Sequence, residues 1–382
     1  MKLQLGGVIK EQPEMGQEAS QIIEFISKRC PLLYYDSCMC HSIMTSANAV
    51  LGWCAKTVKN KMGTFYQPKQ WLSAAAFDNV APSRDTGQSD TTLVAASYAQ
   101  EYSALHVVAP SRNHRQTILM VHGFGDSGPR FEAAFFGSKM SSNLRQRFPH
   151  ARWVFPSAPM RHVDVGNNNR PAWFNLSSLT DLEEGQQSQI DGLRQSTIYL
   201  SHLIEKEILK LEEVGGAAKD LFVVARSQGS SAIVWTLLSS LKRTLGGLVL
   251  AGSWLVFARA LISWMDKCRT NKEDDRRTSV SGEEDAITFV SELLSASKAQ
   301  LLDGKHSLQH VPILLGHCTN DIWIDVDLGR QMRDCLQHIG CNVTWHEYAH
   351  AADGGHWLAE PDEFDCLADF IEHRMAHAAK SI

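Results

Sequence analysis

The sequence predicts an α/β fold: a mostly parallel, doubly wound sheet over residues 103–382, preceded by an N-terminal extension over 1–102. Three observations carry this expectation. Short apolar runs that end in loops recur from residue 103 onward, as strands buried on both faces of a parallel sheet require. Amphipathic segments of helical period alternate with them, the rhythm of βα units. The chain has 382 residues, 44% hydrophobic and 21% charged, which suits a globular protein of one large domain or two modest ones.

Taken in order, "ALHVVAP" and "QTILMVHGFGDSG" read as strands running into loops, and "RFEAAFFGSKMSSNLRQRF" has helical spacing. "ARWVFPSAP" is a strand and its stop. The long stretch "GQQSQIDGLRQSTIYLSHLIEKEILKLEEVG" is an amphipathic helix closed by glycines. Strand "LFVVA", helix "SSAIVWTLLSSL" and strand "LGGLVLAGSW" follow. After an interruption come strand "VPILLGH", a helix around "LGRQMRDCLQHIG", strand "NVTWHEY" and a closing helix "EFDCLADFIEHRMA". The interruption, an insertion over about 263–308, holds the mixed-charge run "DKCRTNKEDDRRTSVSGEED" at 266–285, read as a solvated loop before a surface helix at about 285–303. Residues 1–102 contain short amphipathic pieces such as "QIIEFISKRC" and a Gly/Ser/Asp/Thr-rich stretch that reads as linker.

Composition narrows the function classes. A net charge of −5 gives no electrostatic reason to expect nucleic acid as a partner. No uninterrupted apolar segment resembling a secretory signal opens the chain, and the stretch 31–54 is broken by Asp36, His41 and Asn48. Nine cysteines without framework spacing read as reduced thiols, so a cytoplasmic location is expected. Cys38-Met39-Cys40-His41 lacks a second ligand pair at metal-site spacing, so neither a metal nor another cofactor is expected.

The chemistry concentrates at "FVVARSQGSSAIVW", residues 222–235. A serine hydroxyl is a weak nucleophile that must meet both a base and a carbonyl substrate. A sharp strand-to-helix turn presents it so, and the G-x-S-x-G elbow of α/β-hydrolases keeps the flanking positions small. Here Ala225 replaces the first glycine, Gly229 keeps the second, and Ser227 is the candidate nucleophile. Upstream, "LMVHGFGDSG" supplies a glycine-rich turn after a strand. The amide of Phe124, next to Gly123, and that of Gln228 are the candidate oxyanion donors. Ser127, in the same turn, reads as a loop residue. The acid must follow the serine: Asp321 ends the strand "VPILLGHCTND", with Asp325 and Asp327 as competitors better suited to capping. For the base, His356 after Gly354-Gly355 is favoured over His350; His346, His122 and His317 read as structural.

These pieces, in this order, resemble the phospholipase/carboxylesterase family, whose members include acyl-protein thioesterases and lysophospholipases. "VHGFGDSG" is similar to the family's LHGLGDxG. "VFPSAPMRHVDVGNNNRPAWFNL" resembles its P-x-A-P-x-R…WFD segment, with Trp173 and Phe174 kept and Asn175 in the aspartate's place. "ARSQGS" stands for GFSQGG, "GHCTND" for HGxxD, and "GGHWLAEPDEFDCLADFI" matches the final histidine and helix; the likeness spans about 116–376. It implies an α/β-hydrolase fold, with Ser227, Asp321 and His356 as a triad and Gly123, Phe124, Gln228 and Trp173 at the oxyanion and substrate site. It also implies cofactor-free hydrolysis through an acyl-enzyme. The substrates implied are S-acylated protein, lysophospholipid or small esters and thioesters, which leave room for transient contact with a membrane surface. A catalytically altered binding protein and an acyl transferase are the alternatives. Departures cluster at the nucleophile: Ala225, Ser230, and Arg226 where the family carries an aromatic residue. Arg226 is expected to pair with a nearby carboxylate rather than with substrate.

Overall fold

The computed structural model describes residues 102–138, 143–179, 181–241, 243–273, 282–294 and 308–380. In chain order the elements are β1 (His106–Val108), β2 (Gln116–Val121), α1 (Gly128–Gly137), α2 (Leu144–Arg147), β3 (Ala151–Phe155), β4 (Met160–Val163) and β5 (Asn168–Pro171). Next are α3 (Gln186–Glu213), β6 (Leu221–Arg226), α4 (Gln228–Ser240), β7 (Gly247–Ala251), α5 (Ala258–Glu273) and α6 (Gly282–Leu293). The last are β8 (Ile313–Cys318), α7 (Val326–Ile339), β9 (Val343–Tyr348) and α8 (Asp362–Lys380).

Seven strands form one sheet in the order β1-β3-β2-β6-β7-β8-β9, and every pairing except β1 with β3 is parallel. The strand order reverses around β2 and β6, so the sheet is doubly wound, and both of its faces are covered. Along β2, Ile118 and Met120 join one buried cluster with Phe131 and Phe135 of α1 and Phe364 and Leu367 of α8. Their neighbours Leu119 and Val121 join the other, with α3 and α4. The period-two alternation of a strand therefore puts apolar residues on both faces, which is why these strands read as unbroken hydrophobic runs. Each fully buried Phe, Leu or Ile contributes roughly 1.5–3 kcal/mol relative to its exposed state. Because the strands are parallel, β2, β6 and β8 all end on the same edge, bringing three distant stretches of chain to one place.

Four local features differ from the sequence expectation. The segment expected as one helix over 130–148 is two, α1 and α2. Residues 160–171 form an antiparallel hairpin, β4 with β5, turned through Gly166 and Asn167 at positive φ. Its "MRHV" and "NNRP" carry no apolar alternation, so nothing marked it as strand. Residues 266–273, expected as loop, continue helix α5. The stripe Ala258, Leu261 and Met265 is buried at helical spacing, and packing carries the helix into the charged run. The surface helix expected at about 285–303 is α6, at 282–293. Of the N-terminal extension only Tyr102 is described; it is buried and stacks on Tyr199 of α3, ring centroids 3.7 Å apart. The Cys38–His41 cluster lies outside the described residues.

Candidate active site

Ser227 sits between β6 and α4 with φ 53° and ψ −126°, a backbone conformation that L residues rarely adopt. The turn holds because its flanks fit. A Cβ on Gly229 would lie 2.4 Å from the His122 carbonyl oxygen and 2.8 Å from that of Val121, so only glycine lets α4 start this close to β2. Ala225, by contrast, lies within β6 in register with Val121 and Leu250 and is fully buried. Its extra methyl is absorbed by the core, and the first glycine of the pattern is not needed here.

The candidate base and acid reach Ser227 as a hydrogen-bonded chain. His356 Nε2 lies 3.1 Å from Ser227 Oγ, and His356 Nδ1 lies 2.7 Å from Asp321 Oδ2. Asp321 Oδ1 accepts the amides of Trp323 and Ile324, each at 2.9 Å, and His317 Nε2 stands 3.5 Å from Oδ2. Burial pushes this carboxyl up, but hydrogen bonds from His317 and His356 outweigh it and hold it well below the usual carboxylate range. It is therefore ionised, Nδ1 of His356 carries the proton that faces it, and Nε2 presents a lone pair to the serine hydroxyl. Burial, reinforced by the positive charge of Arg226, pushes the imidazole below its ordinary value of 6.5 against the upward pull of Asp321. Cys318 ends β8 next to this chain; burial pushes its thiol up to about 12, so it is no competing nucleophile.

The candidate oxyanion side is built from the turn after β2 and the start of α4. A Cβ placed on Gly123 would lie 3.0 Å from Ser227 Cβ, so this turn lies directly against Ser227. Among the described residues, neither the Phe124 nor the Gln228 amide donates to a protein acceptor. At the first position of the 13-residue helix α4, the Gln228 N–H also carries the positive end of the helix dipole. The turn is braced from behind. His122, fully buried, accepts the Ala158 amide at Nε2 (2.9 Å), so Nδ1 is protonated and donates to the Gly123 carbonyl at 2.6 Å. Trp173 donates its indole N–H to the His122 carbonyl at 2.8 Å, and the Gln228 side chain bridges the Trp173 amide and the Phe174 carbonyl.

Two expectations change here. Trp173, expected at the substrate surface, is fully buried and supports the oxyanion turn from within. Arg226 pairs with no carboxylate among the described residues; its Nε donates to the His356 carbonyl at 3.0 Å, and Nη2 donates to the same oxygen. The other candidates fall as follows. Ser127 is the N-cap residue of α1, and Asp325 caps α7, accepting the Asp327 amide. His346 is exposed on β9, and His350 is exposed after it. Nothing in the sequence pointed to Ser253, whose buried hydroxyl donates to the Ala251 carbonyl and lies 2.6 Å from Ser230 Oγ, accommodating the serine that replaces glycine under the elbow. An open groove along α5, lined by Arg259, Ile262, Asp266 and Lys267, is separate and includes none of Ser227, Asp321 and His356.

The model of the phospholipase/carboxylesterase family matches residues 103–273, which include the turn after β2 and Ser227 but neither Asp321 nor His356. Over this stretch, just under half of its length, the chain is similar to the phospholipase/carboxylesterase family. Among its relatives is acyl-protein thioesterase 1 of Schizosaccharomyces pombe, 29% identical over 141 residues, 37% of this chain and 57% of that protein. Another is acyl-protein thioesterase 1 of Neurospora crassa, 23% identical over 269 residues, 70% of this chain and 89% of that protein. The chain thus spans little more than half the length of the first. Among solved structures, Zea mays acyl-protein thioesterase 2 is 21% identical, with a TM-score of 0.48 over 72% of this chain and 99% of that one. No helix among the described residues is long and apolar enough to cross a membrane.

Proposed function

We propose that this protein is a phospholipase/carboxylesterase-family serine hydrolase of carboxylic esters or thioesters that works through an acyl-enzyme. One observation carries the reading: a serine held at positive φ, whose hydroxyl faces a neutral imidazole that is itself fixed by a buried, ionised carboxylate. In this reading Ser227 Oγ attacks the acyl carbonyl while His356 Nε2 takes its proton. The oxyanion that forms lies against the Phe124 and Gln228 amides, and Asp321 stabilises the imidazolium. His356 then returns the proton to the departing alcohol or thiol. Water attacks the acyl-enzyme by the same route and releases the acid. Acyl thioesters are the first substrates to test, because the relatives named above are acyl-protein thioesterases.

Wild-type protein is expected to be labelled by a fluorophosphonate probe and to hydrolyse p-nitrophenyl esters or acyl-thioesters of graded chain length. Ser227→Ala should remove the labelling and lower turnover by at least about a thousandfold. Folded protein that neither labels nor turns over any of these substrates would make the site a binding surface instead.

The acidity of the base sets the pH profile. An imidazole accepts a proton only when neutral, and His356 is shifted below 6.5 in the folded protein, so it stays neutral at pH 6.5 and loses activity only below that. The acid limb of kcat/KM is therefore expected below pH 6.5. A limb centred above it would contradict this environment for His356.

A further inference from the structure

Arg226 is the last residue of β6 and touches both halves of the site. Its Nε and Nη2 converge on one oxygen, the backbone carbonyl of His356, across 130 positions of sequence. Its guanidinium carbon lies over the Trp357 ring, 4.9 Å from the centroid, while Nη1 reaches within 3.5 Å of where a Cβ on Gly123 would stand. A planar fork of donors that also stacks on an aromatic face is a property of arginine that lysine and the family's aromatic residue lack. One residue from the nucleophile, the fork grips the main chain that carries the base.

We infer that Arg226 is a positioning residue for His356: its forked hydrogen bonds to the His356 carbonyl and its stacking on Trp357 hold the imidazole at hydrogen-bond distance from Ser227. The inference rests on the catalytic reading above. Its charge contributes a second effect. His356 is faced by Asp321 and His317 from the end of β8, by Arg226 from β6 and by Ser227, and of these only Arg226 carries a fixed positive charge. The carboxylates of Asp353, Asp321, Asp126 and Glu363 surround Arg226, yet none closes an ion pair with it. With no ion pair at hydrogen-bond distance, the charge adds to burial, the larger cause, in opposing protonation of the ring. The same carboxylates disfavour an anionic substrate group at this position.

The test compares wild type with Arg226→Met and Arg226→Lys on two p-nitrophenyl esters, one neutral and one with a terminal carboxylate, across pH 5 to 9. Thermal unfolding serves as the folding control. Arg226→Met is expected to lower kcat by roughly ten- to hundredfold on both esters, because the base is no longer held at reacting distance. KM should change little, and the acid limb should move to higher pH. Arg226→Lys keeps the charge without the fork, so its acid limb should stay near that of wild type while only part of kcat returns. Two results would overturn the inference: a loss confined to KM for the anionic ester, or an Arg226→Met profile superimposable on wild type. If Arg226→Met fails to fold, Arg226→Lys decides: full wild-type kcat would sink the positioning role. An inactive wild type would instead count against the catalytic reading itself.

Discussion

Asp321→Asn is expected to lower kcat by about four orders of magnitude while leaving the fold intact. The asymmetry of the carboxylate's surroundings dictates this. Oδ1 accepts two backbone amides, from Trp323 and Ile324, whereas among the described residues the polar partners of Oδ2 are ring nitrogens, His356 Nδ1 and His317 Nε2. An asparagine can satisfy the two amides only with its carbonyl oxygen, since the opposite flip would set N–H against N–H. Its NH2 group therefore points at His356, which must then present a lone pair at Nδ1 and carry its proton on Nε2. Ser227 Oγ would face a donor where it needs an acceptor. His317 keeps its hydrogen bond to the Ile324 carbonyl at 3.0 Å, so the turn after β8 survives. At 1.36 kcal/mol per factor of ten, the loss corresponds to about 5.4 kcal/mol of transition-state stabilisation. Steady-state kinetics beside a thermal unfolding midpoint would check it. A variant within tenfold of wild type would show that Asp321 does not govern the tautomer of His356.

The legibility of this site follows from where its parts sit. Ser227 and Asp321 each come just after a buried parallel strand, β6 and β8, and such strands show as apolar runs that stop abruptly at small or polar residues. His356 follows two glycines whose purpose is steric, and glycine pairs show in a sequence. What stayed hidden depends on partners that leave no trace in side-chain identity. Arg226 binds a backbone carbonyl, and any residue at position 356 would offer the same oxygen, so the sequence suggested a carboxylate partner instead. Trp173 looks like a ligand-facing aromatic until its indole N–H is found on the His122 carbonyl. The β4–β5 hairpin is specified by two positive-φ residues at its turn and by pairing, not by an apolar face. Helix α5 occupies residues expected as loop because Leu261 and Met265 are buried in the cluster shared with α4 and α6, a tertiary effect that local charge content conceals.

Gly355→Ala is expected to damage both stability and catalysis, and the comparison with Gly215→Ala separates the causes. Both glycines have positive φ, 88° and 81°, so an alanine at either is strained. Around Gly215 a new Cβ meets nothing within 4 Å, whereas at Gly355 it would lie 2.4 Å from the Asn320 carbonyl carbon and oxygen and 2.5 Å from the Asp321 amide nitrogen. Those atoms are backbone and belong to the turn that presents the acid. That turn is tied to the histidine loop by the Ile322 amide donating to the Gly354 carbonyl at 2.9 Å. The added methyl can be accommodated only by moving the His356 loop away from Asp321, which lengthens the bond between base and acid and shifts Nε2 from the serine. Gly215→Ala should cost about 1 kcal/mol and leave kcat unchanged. Gly355→Ala should cost about 3 kcal/mol, roughly 6–12 °C in the unfolding midpoint, and lower kcat about a hundredfold through misplacement of the base. If the two variants lose the same stability and both keep full turnover, the close packing of the histidine loop on the acid's turn is not what holds the catalytic chain together.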